Sequence, residues 1–237
     1  MEETKRHIKE QKVVKIKDMV ELESIDLNMP ESVIVPKLMN NLQTVGFFAL
    51  INIPDYDEGE LFSHVKAFYH DIPEAERRKL VWKNFNPKHK NVYRGLSPFL
   101  PNVPEHKELY DMGGDMELIS DEALKLPLYE ETPFPPQQKY QYIKKFFNQH
   151  YNKMHKLTLK LAEFIALGLK KDRHFFRDWF EYDSMSTLRS VHLLPRDAGV
   201  VDSSKLDKET FRLTTPEHAD SGFITLLSTL GYPGLQV

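Results

Sequence analysis

The stretch His218-Ala-Asp-Ser-Gly-Phe-Ile-Thr-Leu-Leu-Ser-Thr-Leu-Gly-Tyr-Pro-Gly-Leu-Gln-Val237 opens with a His-x-Asp pair and continues as a hydrophobic, β-prone run. On a strand, alternate side chains share a face, so His218 and Asp220 are expected to point the same way. An imidazole and a carboxylate on one face supply two of the three protein ligands of a facial iron site. The spacing alone is weak evidence, because a surface pair on a strand explains it equally well.

The bulk composition bounds the class of protein. The chain has 237 residues, of which 41% are hydrophobic and 28% charged, as expected for one large globular domain. A net charge of −3 argues against a nucleic-acid or anionic-membrane partner, and no apolar stretch approaches a membrane span. There are no cysteines, and residues 1–10 carry no secretory signal, which together favour a cytoplasmic location.

Hydrophobic periodicity predicts an α+β chain that is helical first and β-rich last. The helices are expected over 30–45, 57–71, 137–169 and 172–180, with a short helix opening at Pro73. The strands are expected over 24–27, 46–53, 185–194, 211–218, 222–230 and from 235 onward, and loops over 83–105 and 120–136. Residues 1–23 are a charged leader, 24–180 a mainly helical region and 181–237 a β-rich part, together one structural unit.

The whole stretch from His218 to Val237 resembles the metal-binding segment of the iron(II)- and 2-oxoglutarate-dependent dioxygenases, in the isopenicillin N synthase-like subfamily. The family pattern is His-Thr-Asp, a glycine, a Thr-Leu-Leu strand and then Gly-Gly-Leu-Gln-Val, from which Ala219 and Pro233 depart. Further landmarks occur in the family's order, at residues 24–27, 44–52, 72–76, 93–95 and 107–111.

The resemblance implies a double-stranded β-helix, or jelly roll, with an N-terminal helical region, one long helix, and the first part of the core in 181–237. It implies an oxidoreductase that hydroxylates or desaturates a small organic substrate with O2 and 2-oxoglutarate, releasing succinate and CO2. His218 and Asp220 would be the first two ligands of Fe(II). The substrate itself is not implied, because one scaffold of this kind serves many substrates.

Two features of the family pattern have no counterpart after Asp220, namely the distal histidine ligand and the arginine that binds the far carboxylate of 2-oxoglutarate. The C-terminal part of the jelly roll is therefore expected to be missing, leaving a sheet edge that a partner chain could cover. An alternative function is a catalytically inactive or truncated family member with a structural role in an assembly. A weaker alternative is a cupin-like module that binds another divalent metal through His218 and Asp220.

Three further residues are candidates for the site. His192 lies where the family carries a polar residue before a Tyr-Pro pair, so it is a candidate cofactor-pocket residue, although strand histidines are more often structural. Tyr93 and Arg94 lie in a loop that approaches the substrate in relatives, with loop packing as the alternative. His150 falls on the apolar stripe of the long helix and is expected in the core, whereas the basic run 77–79 is expected to be a solvated helix face.

Overall fold

The structure, a computed structural model, describes residues 13–15, 22–100, 106–116, 119–195, 210–212, 218–232 and 235. The helices in these ranges are α1 (Glu31–Thr44), α2 (Glu58–His70), α3 (Glu74–Arg77), α4 (Gln141–Gly168) and α5 (Arg177–Phe180). The strands are β1 (Val13–Lys15), β2 (Ser24–Asp26), β3 (Ala49–Ile51), β4 (Gly95–Ser97), β5 (Lys107–Met112), β6 (Leu188–Leu193) and β7 (Thr210–Arg212). This mixture of helix and sheet confirms the α+β prediction.

The strands form three small sheets. β2 pairs with β3 in parallel, β1 pairs with β7 in antiparallel, and β4, β5 and β6 form an antiparallel sheet in that order. In the three-stranded sheet Gly95 lies opposite Asp111, and Asp111 lies opposite Arg189 on its other side. The same register places Glu108 opposite His192.

Sequence explains α2 and α4, the two helices that pack near the three-stranded sheet. α2 begins where the Asp57 side chain accepts a hydrogen bond from the backbone N–H of Glu60 at 2.9 Å, an N-cap that satisfies one free helix donor. α4 runs for 28 residues, and its buried side chains follow the predicted stripe, with Ile143, Phe147 and Leu161 among them. Among the described residues, no helix is long and apolar enough to cross a bilayer.

The largest core cluster lies between α2, α4 and one face of the three-stranded sheet. Phe68 is fully buried and stacks on Tyr110 with ring centroids 4.3 Å apart, while Phe147 approaches it edge-on at 5.9 Å. A second cluster joins α1, β2 and α4 through Ile25, Leu38 and other buried aliphatic side chains. Burial of these apolar side chains supplies the main driving force that holds the helices against the sheet.

Several strand predictions were wrong or only partly right. The run 46–53 was expected to be a buried strand, but only Ala49–Ile51 is a strand, and Phe47 and Ile51 are exposed because β2 is its only partner in the described residues. β4 lies in the interval 83–105, which was expected to be a loop. The prediction over 185–194 holds for Leu188–Leu193, and that over 211–218 holds for residues 211–212 of β7. Residues 213–217, 236 and 237, which belong to the last predicted strands, lie outside the described residues.

The segment 222–230 was expected to be a strand, and the structure shows irregular backbone there. Its side chains do alternate in a strand-like manner, since Ile224 and Leu226 pack against the cluster of α1, β2 and α4, while Thr225 and Leu227 are exposed. The alternation therefore reflects contact with helices on one side. No strand partner accompanies it in the part of the chain described.

The basic run 77–79 also departs from its prediction. Arg78 and Lys79 are exposed, as expected, and form surface ion pairs with Glu74 and Glu76. Arg77 is buried, with 9% of its surface exposed, and its guanidinium donates to the carbonyls of Tyr69 and Ile72 and reaches Glu108. Arg77 differs in burial from Arg78 and Lys79 because the helical turn directs its side chain inward, toward the sheet.

His150 lies in the core, as predicted, with its ring stacked on Phe146 at 5.8 Å. Burial lowers the pKa of the His150 imidazole, and Lys153 adds to this effect; burial likewise lowers the pKa of His155. The unfolded chain therefore binds more protons than the folded chain below the ordinary histidine pKa of about 6.5. Stability from these neutral imidazoles is complete above that pH and is lost as the pH falls toward the lowered values.

We therefore expect the free energy of unfolding to fall between pH 7 and pH 5, measured by urea denaturation at half-unit steps. His150→Phe keeps a buried ring of similar shape and removes one titrating group, so its dependence on pH over this interval should be shallower than that of the wild type. An identical pH dependence in the two proteins would show that His150 is not held neutral by the fold.

Candidate metal site and the adjoining sheet face

His218 and Asp220 lie side by side, with 3.5 Å between Nε2 of the imidazole and Oδ1 of the carboxylate. The strand expected at this point is absent, since residues 218–220 are irregular, yet the two side chains still approach each other. Both are accessible, with 61% of the His218 side chain and 54% of the Asp220 side chain exposed. An approaching ion can therefore reach a nitrogen and an oxygen donor from the same side.

The donor set suits a divalent first-row metal, because imidazole and carboxylate are the ligand types of the facial iron triad. In the part of the chain that the structure describes, no group of three or more His, Cys, Asp or Glu side chains is placed to hold a metal ion. The pair of His218 and Asp220 is therefore a candidate for two of the three protein ligands of such a triad.

The chain that follows the pair is anchored to the helical region at two points. Phe223 packs against Phe180, with ring centroids 4.9 Å apart, at the end of α5. Further on, the Tyr56 hydroxyl donates to Ser228 Oγ at 2.9 Å, and Ser228 Oγ donates to Glu58 at 3.0 Å at the start of α2. These contacts hold the segment that follows His218 and Asp220 across the helices.

The three-stranded sheet has two chemically different faces. The helix face carries Tyr110, Ser190 and the Glu108–His192 pair, which lie toward α2 and α4. The opposite face, here called the open face, carries the side chains of Lys107, Leu109, Asp111, Arg189, Val191 and Leu193. On the open face Arg189 donates from Nε and Nη2 to the two oxygens of Asp111, at 2.7 and 2.8 Å.

Asp220 is electrostatically coupled to this face. The hydrogen-bonded ion pair with Asp111 raises the pKa of Arg189, and the charge of Asp220 contributes in the same direction. Asp220 therefore lies within electrostatic reach of the Arg189 guanidinium. The charge of one candidate metal ligand therefore acts on the open face.

His192 lies on the helix face, away from the open face. Its Nδ1 is 2.9 Å from Glu108 Oε1, and its ring lies 4.5 Å from that of Tyr69 in α2. Glu108 is also the partner of buried Arg77, at 3.5 Å. These contacts favour the structural interpretation of His192 over the cofactor-pocket interpretation.

The structure separates the two residues that were predicted together in the substrate loop. The Glu130 carboxylate accepts hydrogen bonds from the successive backbone N–H groups of Val92, Tyr93 and Arg94, at 2.6, 2.8 and 3.0 Å. The Tyr93 side chain is half exposed on the loop held in this way. Three backbone N–H donors that meet one carboxylate hold the backbone of this loop in place.

Arg94, in contrast, is buried beneath the same loop. Its guanidinium donates to Thr187 Oγ1 at 2.6 Å and to the carbonyls of Met185 and Ser186, which lead into β6. Burial lowers the pKa of this guanidinium. Arg94 therefore ties the loop to β6, as the packing alternative expected, and Tyr93 is the residue of the two that faces outward.

Sequence reasoning did not single out Arg189, Asp111 or Glu130. Arg189 and Asp111 are 78 residues apart, and only the strand register places them opposite each other. The alternation along β6 offered one signal, because Arg189, Val191 and Leu193 recur at every second position. Nothing in the sequence pairs Glu130 with the 92–94 loop.

A groove lies elsewhere in the described residues. It has a volume of about 360 Å³ and lies between residues 76–80, 89–91 and 131–136, with Lys144 at one side. None of the five predicted site residues lines it. Its charged groups include both lysines and glutamates.

Comparison with known proteins agrees with the resemblance seen in the sequence. The chain is 25% identical over 222 residues to isopenicillin N synthase of Penicillium rubens, covering 89% of this chain and 64% of that relative. It is 31% identical over 113 residues to isopenicillin N synthase of Amycolatopsis lactamdurans, covering 47% of this chain and 34% of the relative. The chain thus spans less than two thirds of the length of these relatives. No protein-family model matches it.

Solved structures share the fold. A 2OG-Fe(II) oxygenase family protein of Caulobacter crescentus matches with a TM-score of 0.61 and 21% identity, over 76% of this chain and 59% of that one. Full-length Neurospora crassa T7H in complex with alpha-KG matches with a TM-score of 0.59 and 21% identity, over 78% of this chain and 58% of that one. At this level of identity the likeness concerns the fold. Together with the sequence relatives, it supports the family predicted from the stretch that begins at His218.

Proposed function

We propose that this chain, which is related to the isopenicillin N synthase-like iron(II)- and 2-oxoglutarate-dependent dioxygenases, functions as an oxidoreductase of that type. The reaction would oxidise a small organic substrate, by hydroxylation or desaturation, with O2 and 2-oxoglutarate and with release of succinate and CO2. The observation that supports this most strongly is the His218–Asp220 pair, whose donor atoms lie 3.5 Å apart at the start of the stretch that resembles the family's metal-binding segment.

In this proposal His218 Nε2 and the Asp220 carboxylate hold Fe(II), and the bound iron supplies the redox chemistry that activates O2. The carboxylate contributes a negative charge that offsets part of the metal's charge, and the neutral imidazole contributes a lone pair. The packing of Phe223 and Ser228 on the helices fixes the chain just beyond the two ligands. A fixed backbone keeps both donors on one side without the geometry of a strand.

The jelly-roll arrangement and a cytoplasmic location belong to the same proposal. The antiparallel sheet of β4, β5 and β6 would be part of that jelly roll, with its helix face covered by α2 and α4. Its open face would then line the interior, on the side of Asp220. This placement makes the open face the surface along which a small substrate would lie beside the metal.

The proposal is tested by measuring metal and cosubstrate binding separately from turnover. Mn(II), which replaces Fe(II) without its redox chemistry, and 2-oxoglutarate are titrated by calorimetry under anaerobic conditions, and succinate is then measured with Fe(II), ascorbate and air. Binding of Mn(II), strengthening of 2-oxoglutarate binding by Mn(II), and succinate release are the expected results. Absence of all three would contradict the enzyme and favour the non-catalytic alternative with a structural role.

A further inference from the structure

The open face carries a guanidinium that one partner holds in place. Both oxygens of Asp111 accept hydrogen bonds from Arg189, and the Asp111 side chain is 3% exposed, whereas the Arg189 side chain is 51% exposed. Such a bidentate pair fixes the plane of the guanidinium as well as its position. Arg189 is therefore fixed in orientation while about half of its side chain stays accessible.

The pair with Asp111 uses only one edge of the guanidinium. Arginine has five N–H donors in a planar fork. Nε and one N–H of Nη2 are directed to Asp111. The edge formed by Nη1 and the second N–H of Nη2 has the geometry that matches a second carboxylate. A purely structural role for Arg189 accounts for the first edge and makes no use of the second.

The side chains around that edge indicate what kind of group could lie next to a bound carboxylate. Val191 and Leu193 follow Arg189 on the same face of β6, with 48% and 53% of their surfaces exposed, and Leu109 lies across from Val191. Residues 189 to 193 span about 14 Å along a strand at ~3.4 Å per residue. The open face is thus an exposed aliphatic strip with the fixed Arg189 guanidinium at one end and Lys107, opposite Leu193, at the other.

The balance of charge permits an anion there even without a metal. Among the described residues, the charges of Arg189 and Lys107 are balanced by those of Asp111 and Asp220, so the local sum is about zero. A divalent cation on His218 and Asp220 would make this sum positive. The fixed guanidinium edge then offers a charge-assisted hydrogen bond to an anionic group that approaches from the open face.

We infer that Arg189 is a specificity-determining residue of the proposed site, and that it binds a carboxylate on a substrate whose aliphatic part lies along Leu109, Val191 and Leu193. This inference rests on the proposed function for the identity of the reaction, and it adds the class of substrate, a small aliphatic carboxylate. The carboxylate belongs to the substrate and is distinct from those of 2-oxoglutarate.

The test uses two probes of equal chain length, octanoate and the uncharged octanamide, and measures their dissociation constants by calorimetry with metal removed by EDTA. Wild-type protein is expected to prefer octanoate by roughly tenfold, about the strength of one charge-assisted hydrogen-bonded contact. Because metal and 2-oxoglutarate are absent, this result does not depend on whether the protein turns over. Equal binding of the two probes by the wild type would overturn the inference.

Variants separate recognition from stability. Arg189→Gln alone would leave the Asp111 carboxylate buried without its cation, so the main variant is the pair Arg189→Gln with Asp111→Asn, which keeps a neutral hydrogen bond. Its preference for octanoate is expected to vanish while octanamide binds as in the wild type. Asp111→Asn alone retains the guanidinium and is expected to keep or increase the preference. A preserved preference in the double variant would refute the role of Arg189.

A final experiment distinguishes recognition of a substrate carboxylate from recognition of a carboxylate of 2-oxoglutarate. With Mn(II) present, the affinity for 2-oxoglutarate is measured in the wild type and in the Arg189→Gln/Asp111→Asn protein. The inference expects equal 2-oxoglutarate affinities. Loss of 2-oxoglutarate binding without loss of octanoate preference would assign Arg189 to the cosubstrate and would overturn the assignment to substrate.

Discussion

Asp220→Ala is expected to weaken Mn(II) binding by about 100-fold or more, since loss of a direct ligand should exceed the 10- to 100-fold effect of losing an outer-shell partner. The carboxylate is half exposed, and it forms a pair with His218, which is also exposed. Removing it should leave folding intact, because its contacts lie at the surface. Binding is followed by Mn(II) electron paramagnetic resonance, and thermal unfolding is recorded for both proteins.

The matched control is Asp178→Ala, which removes an exposed carboxylate from α5 and changes the net charge by the same amount. It should bind Mn(II) as the wild type does. His218→Ala should weaken binding as Asp220→Ala does, because each change removes one of two adjacent donors. If Asp220→Ala and Asp178→Ala bind Mn(II) equally well, the metal is held elsewhere and the assignment of the pair is wrong.

Arg77→Met is expected to destabilise the fold by about 3–5 kcal/mol, the usual cost of removing one member of a buried ion pair. Arg77 and Glu108 are both almost fully buried, and their side chains meet at 3.5 Å between α3 and β5. The substitution leaves the Glu108 carboxylate without its guanidinium and removes donors from the carbonyls of Tyr69 and Ile72. Urea denaturation followed by circular dichroism measures the change.

The next residue in the chain provides the control. Arg78 forms an exposed ion pair with Glu74, so Arg78→Met should change stability by less than about 1 kcal/mol. The double variant Arg77→Met with Glu108→Leu replaces both charges by apolar groups and should recover much of the loss. If Arg77→Met were as stable as Arg78→Met, the buried pair would contribute nothing to the fold.

Local sequence was sufficient for the helices and insufficient for the sheets. α1, α2 and α4 begin and end within a few residues of their predictions, because hydrophobic periodicity and capping act over one or two turns. The strand predicted over 222–230 failed because Ile224 and Leu226 alternate toward helices. Alternation of apolar and polar residues indicates that one side of a segment is buried. It does not indicate whether a strand or a helix lies beside that segment.

For the candidate site, too, local sequence predicted some features and only the tertiary structure showed the others. The sequence singled out His218 and Asp220, whose chemistry is contained in three consecutive residues, and the structure brings their donor atoms to 3.5 Å without a strand. It also paired Tyr93 with Arg94, and the structure separates them, since Glu130 holds the loop from 36 or more residues away in the chain. Partners so distant leave no mark on local spacing.

The sequence by itself determined the family resemblance, the helical order and the two adjacent donors, because each depends on residues within a few positions of one another. The tertiary structure decided which partner each of several charged side chains contacts. It placed His192 and Arg77 against the buried carboxylate of Glu108, and it placed Arg189 against Asp111 on the open face. Strand register and helix packing join residues that are tens of positions apart, and these long-range contacts form only in the folded chain.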